Sequence, residues 1–294
     1  MLYSTNDMTV LMSVTMLSLL AFYRVIQLLP ETPGPRRRSP PQAVPDISWE
    51  GESSDDISSS FDTNGLSAFA CSKTKGSANS DFFDISQSRS GLVSFYLGDV
   101  GGNGLSASLC QASCTSVLKL ASAISLDPVG IVSEVNESLC RREAGERYAK
   151  LLYGTLDLTS GRLRLLSAGH PNPIRVSRDD RVEVLECTPC LPVGILPEHK
   201  YVITEHRLEP GDTLLLYSDG IVATRDGSQE ALGDQGLARM AQELHSTLPG
   251  HMVENLFEQV CHFGSSRKDD QTLLALHYSG LRSEFATNKL LQAA

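Results

Sequence analysis

The sequence predicts an α+β fold in which two antiparallel β-sheets pack together and helices flank them. Three observations carry that expectation. Ten short strand-like runs are too many for one sheet, they fall early and late in the chain with helical patterns between them, and two of the connections read as hairpin turns. The turns are Thr159-Ser160-Gly161 and Arg178-Asp179-Asp180, whose Gly and Asp tolerate the backbone angles that reverse a chain tightly. Tight reversals favour antiparallel neighbours over a doubly wound parallel sheet.

In chain order, the strand candidates are residues 66–71, 82–86, 92–97, 154–158, 162–167, 173–176, 182–185, 201–207, 213–217 and 272–278. Each is rich in β-branched, aromatic or leucine residues and is bounded by Gly, Pro, Asp or Ser. Residues 105–120 and 128–139 read as helices; in the second, Val129, Val132, Val135 and Leu139 recur near helical spacing. Residues 231–244 and 252–263 read as two more.

The remainder divides by composition. Residues 1–29 form an apolar segment in which residues 8–23 carry no charge; with Arg24 snorkelling, the stretch reaches Leu29, about the 20 residues a bilayer needs. Asp7 precedes it and Arg24, Arg36, Arg37 and Arg38 follow, an order that suits an anchor better than a signal peptide and would keep the rest of the chain on the cytoplasmic side, at the inner face of the plasma membrane. A soluble helix fits the same residues equally well. Residues 30–60, dominated by Pro, Arg, Ser, Asp and Glu, read as a flexible linker with too little apolar surface to offset its ordering entropy. A domain over 61–279 and a short tail over 280–294 complete the expected organisation.

Charge and cysteine usage exclude some functions. Thirty-five acidic against 25 basic side chains give a net charge of −10, which repels nucleic acid. Seven cysteines, at 71, 110, 114, 140, 187, 190 and 261, lack the dense spacing of a secreted disulfide scaffold and fit reduced thiols. Cys187 and Cys190 form a C-x-x-C pair, but no second pair completes a zinc set.

The informative acids stand at strand ends. Asp81 and Asp84 bracket Phe82-Phe83; Asp99 ends one apolar run and opens Gly101-Gly102-Asn103-Gly104; Asp219 follows another in Ser218-Asp219-Gly220; Asp269-Asp270 precedes the last strand. A glycine-rich strand-to-helix turn can present amides to a phosphate, although this one lacks the Lys and Ser/Thr of a P-loop. Carboxylates gathered in one cleft raise one another's pKa unless a cation neutralises them, and oxygen donors suit magnesium or manganese. Taken singly, each Asp reads first as a turn or cap residue.

Asp81-Phe82-Phe83-Asp84, the run from Gly98 through Gly104, Ala168-Gly169-His170-Pro171-Asn172-Pro173, Pro210-Gly211-Asp212, Ser218-Asp219-Gly220 and Asp269-Asp270-Gln271-Thr272, in that order, resemble the SpoIIE/RsbU-type serine phosphatases of the metal-dependent (PPM) superfamily. The resemblance covers about residues 66–278 and implies a PPM phosphatase-like sandwich. It further implies two Mn²⁺ or Mg²⁺ ions, bridged by Asp99 with the Val100 carbonyl beside it. Asp81 would serve one ion, Asp219 and Asp269 the other, with Asp270 as a neighbour and Asp84 as a supporting acid. The implied reaction is in-line attack of a metal-activated water on phosphoserine or phosphothreonine, to which Asp99 and Asp219 contribute through the metals. His170 is either a general acid or a residue that fixes its turn. The implied substrate is a phosphorylated regulatory protein of the STAS type in bacterial partner switching; the alternative is a catalytically weak scaffold that binds such a regulator. The sequence departs from the family at Asn79-Ser80, where Gly-Gly is usual, and at Ala223-Thr224, where an acid is frequent.

Overall fold

A computed structural model describes residues 49–50, 56–75, 79–88, 91–102, 104–125, 127–141, 148–244, 248–264 and 269–281. The apolar segment 8–29 and nearly all of the tail 280–294 lie outside these residues. Among the described residues no helix is long and apolar enough to cross a membrane.

Among the described residues, twelve strands form two antiparallel sheets. In chain order they are β1 (Trp49–Glu50), β2 (Asp56–Thr63), β3 (Leu66–Lys73), β4 (Asp81–Gln87), β5 (Leu92–Val100), β6 (Ala149–Asp157), β7 (Arg162–Ala168), β8 (Ile174–Val176), β9 (Val182–Val184), β10 (Thr204–Arg207), β11 (Thr213–Tyr217) and β12 (Gln271–Tyr278). The seven-stranded sheet runs β1-β2-β3-β12-β11-β8-β9 and the five-stranded sheet β10-β7-β6-β5-β4. The helices are α1 (Gly104–Ile124), α2 (Pro128–Cys140), the single turn α3 (Asp219–Val222), α4 (Gly233–Gln242) and α5 (Pro249–Phe263).

Strand alternation sorts the apolar side chains into three layers. Phe95, Leu97, Leu152, Leu165, Leu214, Leu216, Leu274 and Leu276 fill the space between the sheets. On the outer face of the five-stranded sheet, Tyr96, Leu151, Tyr153 and Leu166 pack under Cys110, Cys114 and Leu118 of α1 and Val132, Val135 and Leu139 of α2. On the outer face of the seven-stranded sheet, Leu215, Tyr217, Leu273 and Ala275 meet Leu237 of α4 and Met252, Leu256 and Phe257 of α5. Each such aliphatic or aromatic side chain contributes about 1.5–3 kcal/mol on burial. Cys110 and Cys114 are therefore packing residues, and among the described residues no cysteine is in a disulfide.

Both expected hairpins form, joining β6 to β7 and β8 to β9, and Asp180 takes the left-handed backbone (φ 64°) that its turn demands. Three boundaries differ from the sequence expectation. Strand β2 begins at Asp56, inside the stretch 30–60 expected as linker, and β1 lies there too; a cut before residue 61 would remove most of β2. Its sequence, Asp-Ile-Ser-Ser-Ser-Phe-Asp-Thr, buries Phe61 alone, so the apolar alternation that marks a strand is missing. Strand β6 begins at Ala149, five residues before the expected start, and the region expected as strand 201–207 is extended only from Thr204.

Candidate functional site

The parity of the strands decides which acids meet. In β4, Phe83 and Ile85 belong to the layer between the sheets, so Asp81 points there as well; in β5, Phe95 and Leu97 set the same direction for Asp99. Asp81 is registered opposite Asp99, and Asp99 opposite Lys150 of β6, which lies on the same face as Leu152. The five-stranded sheet thus presents a cross-strand row of Asp81, Asp99 and Lys150 at one end of the sandwich. Asp84, an odd number of residues from Asp81, faces the helices and pairs with Lys119 of α1 at 3.4 Å.

A row of hydroxyls opposes it on the other sheet. Ser72 of β3 is registered with Thr272 of β12, and the Ser218 hydroxyl accepts from the Thr272 backbone N–H at 2.9 Å. Thr272 Oγ1 lies 2.6 Å from Asp81 Oδ2 and 2.7 Å from Ser72 Oγ. With one proton, Thr272 donates to the carboxylate and accepts from Ser72, whose oxygen accepts from Asn79 Nδ2 at 2.7 Å. Asn79 Oδ1 also accepts from the Asp81 N–H at 2.9 Å, so the residue that replaces the family's glycine helps to fasten Asp81.

The remaining acids arrive from turns. Asp219 opens α3 directly after β11, and Asp269-Asp270 leads into the neighbouring β12. Gly220 makes their approach close: a Cβ there would stand 1.9 Å from the Asp270 carbonyl oxygen. Asp270 is committed to the backbone. Its Oδ1 accepts from Lys75 N at 2.8 Å, and its Oδ2 accepts from Ser80 N at 2.7 Å and from Ser80 Oγ at 2.8 Å. Asp219 is ion-paired with the Lys150 ammonium, with side chains 37% and 32% exposed, so the contact bridges the two sheets.

Electrostatics tie the group together. Burial, opposed by the Thr272 hydrogen bond and reinforced by the Asp99 charge, pushes Asp81 up to about 7. Burial also raises Asp99 to about 6; Lys150 counters it, while Asp269 and Asp219 add to it. Lys150 is held above its ordinary range: burial disfavours its charge, and the Asp219 hydrogen bond with the Asp219 and Asp99 charges outweighs that. His170 lies at the margin of the same field. Its ring is buried and pushed down to about 4; Nδ1 is 3.0 Å from the Pro171 carbonyl, and Nε2 has no partner. The Ser167 hydroxyl donates to the His170 carbonyl at 2.7 Å.

The loop after Asp99 is shaped by Gly102 (φ 104°) and Gly104 (φ 68°), left-handed positions that favour glycine. Gly101 N–H is taken by the Tyr148 carbonyl at 3.0 Å and Val100 N–H by the Ser80 carbonyl at 3.2 Å. These two amides are therefore engaged within the fold. Among the described residues, no three His, Cys, Asp or Glu side chains converge into a metal-binding cluster. The donors themselves are all oxygen, and two of them, the buried Asp81 and the half-buried Asp99, have pKa values raised by desolvation and like charge, which is the chemistry a hard divalent cation relieves. On that test the residues fit such a cation.

Lys150 is the contributor that sequence reasoning missed. Its place in the row follows from its register opposite Asp99 in a strand that starts at Ala149 and not at residue 154.

Known proteins resemble this chain in sequence or in fold. Phosphoserine phosphatase RsbU of Bacillus subtilis is 22% identical over 185 residues, covering 63% of this chain and 55% of RsbU. Protein IcfG of Synechocystis is 21% identical over 229 residues, covering 68% of this chain but 36% of IcfG. The chain thus spans about a third to about a half of these curated relatives. The crystal structure of the RsbU and RsbW domains of Rv1364c from Mycobacterium tuberculosis matches with a TM-score of 0.64 at 22% identity, over 77% of this chain and 67% of that one. The SiaA-PP2C domain of Pseudomonas aeruginosa also matches with a TM-score of 0.64, at 18% identity, over 72% of this chain and 85% of that one. These likenesses show a PP2C-type fold. The Stage II sporulation protein E (SpoIIE) family matches residues 89–279, about two thirds of the chain, and with the two-sheet architecture this places the chain in the SpoIIE family of PPM-type phosphatases.

Proposed function

We propose that this chain is a divalent-metal-dependent protein serine/threonine phosphatase whose catalytic domain spans residues 56–281. The observation that supports the reading is the presence of acids from both sheets at one end of the sandwich: Asp81 and Asp99 are opposite each other on adjacent strands, and the Asp269 and Asp219 charges reach Asp99 and raise its pKa. Asp99, with the Val100 carbonyl beside it, would serve both Mn²⁺ or Mg²⁺ ions, Asp81 one of them, and Asp219 and Asp269 the other. The pair of ions supplies Lewis-acid stabilisation of the phosphoryl oxygens and acidifies an attacking water.

The protein's own groups set the geometry. Thr272, fed by Ser72 and Asn79, fixes the Asp81 carboxylate, and the Asp81 carbonyl accepts from Gln111 Nε2 at 2.8 Å, which ties α1 to the acid row. Asp270, with three donors on its oxygens, fastens the chain between β3 and β4 to the start of β12 and is a pin rather than a ligand. His170 stays neutral near pH 7 because burial holds it at about 4, so it fixes its turn and is not the general acid.

The substrate class is supported by RsbU being a phosphoserine phosphatase and by the joining of RsbU and RsbW domains in the mycobacterial protein. A phosphoserine or phosphothreonine on a small STAS-type regulator of a partner-switching circuit fits both. Hydrolysis of p-nitrophenyl phosphate by the full-length chain, with and without Mn²⁺, alongside Asp99→Asn and Asp219→Asn, tests the reading. The expected result is Mn²⁺-dependent turnover lost in both variants. A folded, Mn²⁺-loaded wild type without turnover would instead favour the scaffold role. The membrane-anchor reading of residues 8–29 is separately tested by fractionation of the full-length chain.

A further inference from the structure

The acid cluster carries a cation of its own. Lys150 is fixed by its backbone: β6 registers it opposite Asp99, and Ala149 before it is bridged to Val193 through two 3.0 Å hydrogen bonds. From that anchored position the side chain enters the space between the sheets and sets its ammonium on Asp219 of the opposite sheet. Lys150 therefore already holds Oδ2, one of the two oxygens that Asp219 could offer a divalent ion. An ammonium in hydrogen-bond contact and a doubly charged ion on the same carboxylate repel strongly at the reduced dielectric of a half-buried cleft. The lysine stem is flexible enough to swing the ammonium away while its backbone stays in the ladder. On the Asp81 side the carboxylate accepts a neutral hydroxyl from Thr272, which a cation need not displace.

We propose that the Lys150 ammonium is the resident counter-ion of the Asp219 side of the cluster, and that a divalent cation reaches Asp219 only by displacing it. The two sides then load in sequence, the Asp81–Asp99 side at low metal concentration and the Asp219–Asp269 side at higher. Lys150 is a positioning residue that sets the metal concentration at which the centre is complete. This inference rests on the divalent-metal reading above.

Titration calorimetry of the full-length chain with MnCl₂ tests it without recourse to activity. Wild type is expected to bind in a tight and a weak phase. Lys150→Met and Lys150→Gln should strengthen the weak phase by about tenfold or more and leave the tight phase within about threefold, while Lys150→Arg keeps the wild-type pattern. Adding Asp219→Asn to Lys150→Met should abolish the gain, which locates it. Circular dichroism identifies which variants are folded, and either neutral variant suffices. Equal isotherms for wild type and a folded neutral variant would overturn this inference and leave the metal reading standing. Loss of the tight phase in the neutral variants would overturn it as well, and absence of Mn²⁺ binding in every protein would overturn both.

Discussion

The two sheets supply acids to the same cleft by different means. On the five-stranded sheet, Asp81 and Asp99 are members of strands, held in place by the ladder and buried enough for their pKa values to rise to about 7 and about 6. On the seven-stranded sheet, Asp219, Asp269 and Asp270 sit in the turns at the ends of β11 and β12, where no ladder holds them. There, position depends on a close glycine contact, an ion pair with Lys150 and three hydrogen bonds to Asp270. The difference teaches that strand acids come already placed and lack only a counter-charge, whereas turn acids need their placement built.

The largest test of the comparison is Gly220→Ala. Its Cβ would sit 1.9 Å from the Asp270 carbonyl, a backbone atom that cannot yield without moving the start of β12. We expect a loss of about 3 kcal/mol or more in stability, read by thermal unfolding, and loss of Mn²⁺-dependent hydrolysis even where the variant folds. A wild-type midpoint would show that the turn side adapts as readily as any loop.

The strand side is tested by pH. Asp81 and Asp99 are raised from 3.8 to about 7 and about 6, so between those values the folded state binds more protons than the unfolded one. Stability of chelator-treated protein should therefore be greatest below about pH 3.8 as far as these two groups are concerned, and fall by about 4 kcal/mol between pH 5 and 7.5. Denaturant midpoints at pH 5 and 7.5 measure it. Asp81→Asn should flatten most of the slope, and millimolar Mn²⁺ should restore the stability lost at pH 7.5. A metal-free profile that rises over this window would mean that the strand acids are not short of a counter-charge.

Asp269 and Asp270, adjacent in the chain, should separate in the next experiment. Asp270→Ala leaves the Lys75 N–H and the Ser80 N–H and hydroxyl without their acceptor and is expected to cost about 2 kcal/mol, with Mn²⁺ affinity changed only a few-fold in the folded fraction. Asp269→Ala, at an exposed turn, should leave the unfolding midpoint near wild type and weaken Mn²⁺ binding about tenfold. The opposite pairing of effects would exchange the two roles.

That separation marks what the sequence could reveal. The strands with strong alternation were legible, as were both hairpins, and with them the six acids at strand ends, because period-2 burial and turn residues are local signals. Strand β2 was not: its serines carry no apolar pattern, and pairing with β3 supplies its order. Nor was the division between Asp269 and Asp270, since two neighbouring carboxylates look alike until donors from residues 75 and 80 choose one. Lys150 was invisible for the same reason. Its importance lies in register with Asp99, 51 positions earlier, and in contact with Asp219, 69 positions later, and neither relation is written locally.

The smallest expected effect concerns Asp84, which shares a motif with Asp81. Strand parity sends the two to opposite faces, and Asp84 meets Lys119 on α1 at 3.4 Å, with the lysine side chain 56% exposed and the carboxylate 17%. One Asp84 oxygen also accepts from the Ile85 N–H at 2.9 Å. An ion pair open to water on one side contributes about 0.2–1 kcal/mol, so Lys119→Met and Asp84→Asn should each shift the unfolding midpoint by no more than a few degrees. Neither should alter Mn²⁺ binding, because the sheet itself stands between this pair and the cleft. The two substitutions should also be non-additive, since the second removes a charge whose partner is already gone. A fall in Mn²⁺ affinity in Asp84→Asn comparable to that in Asp81→Asn would mean that the acid row is held from both faces of β4, and the contrast between ladder-held and turn-held acids would then have to include the helix layer behind the sheet.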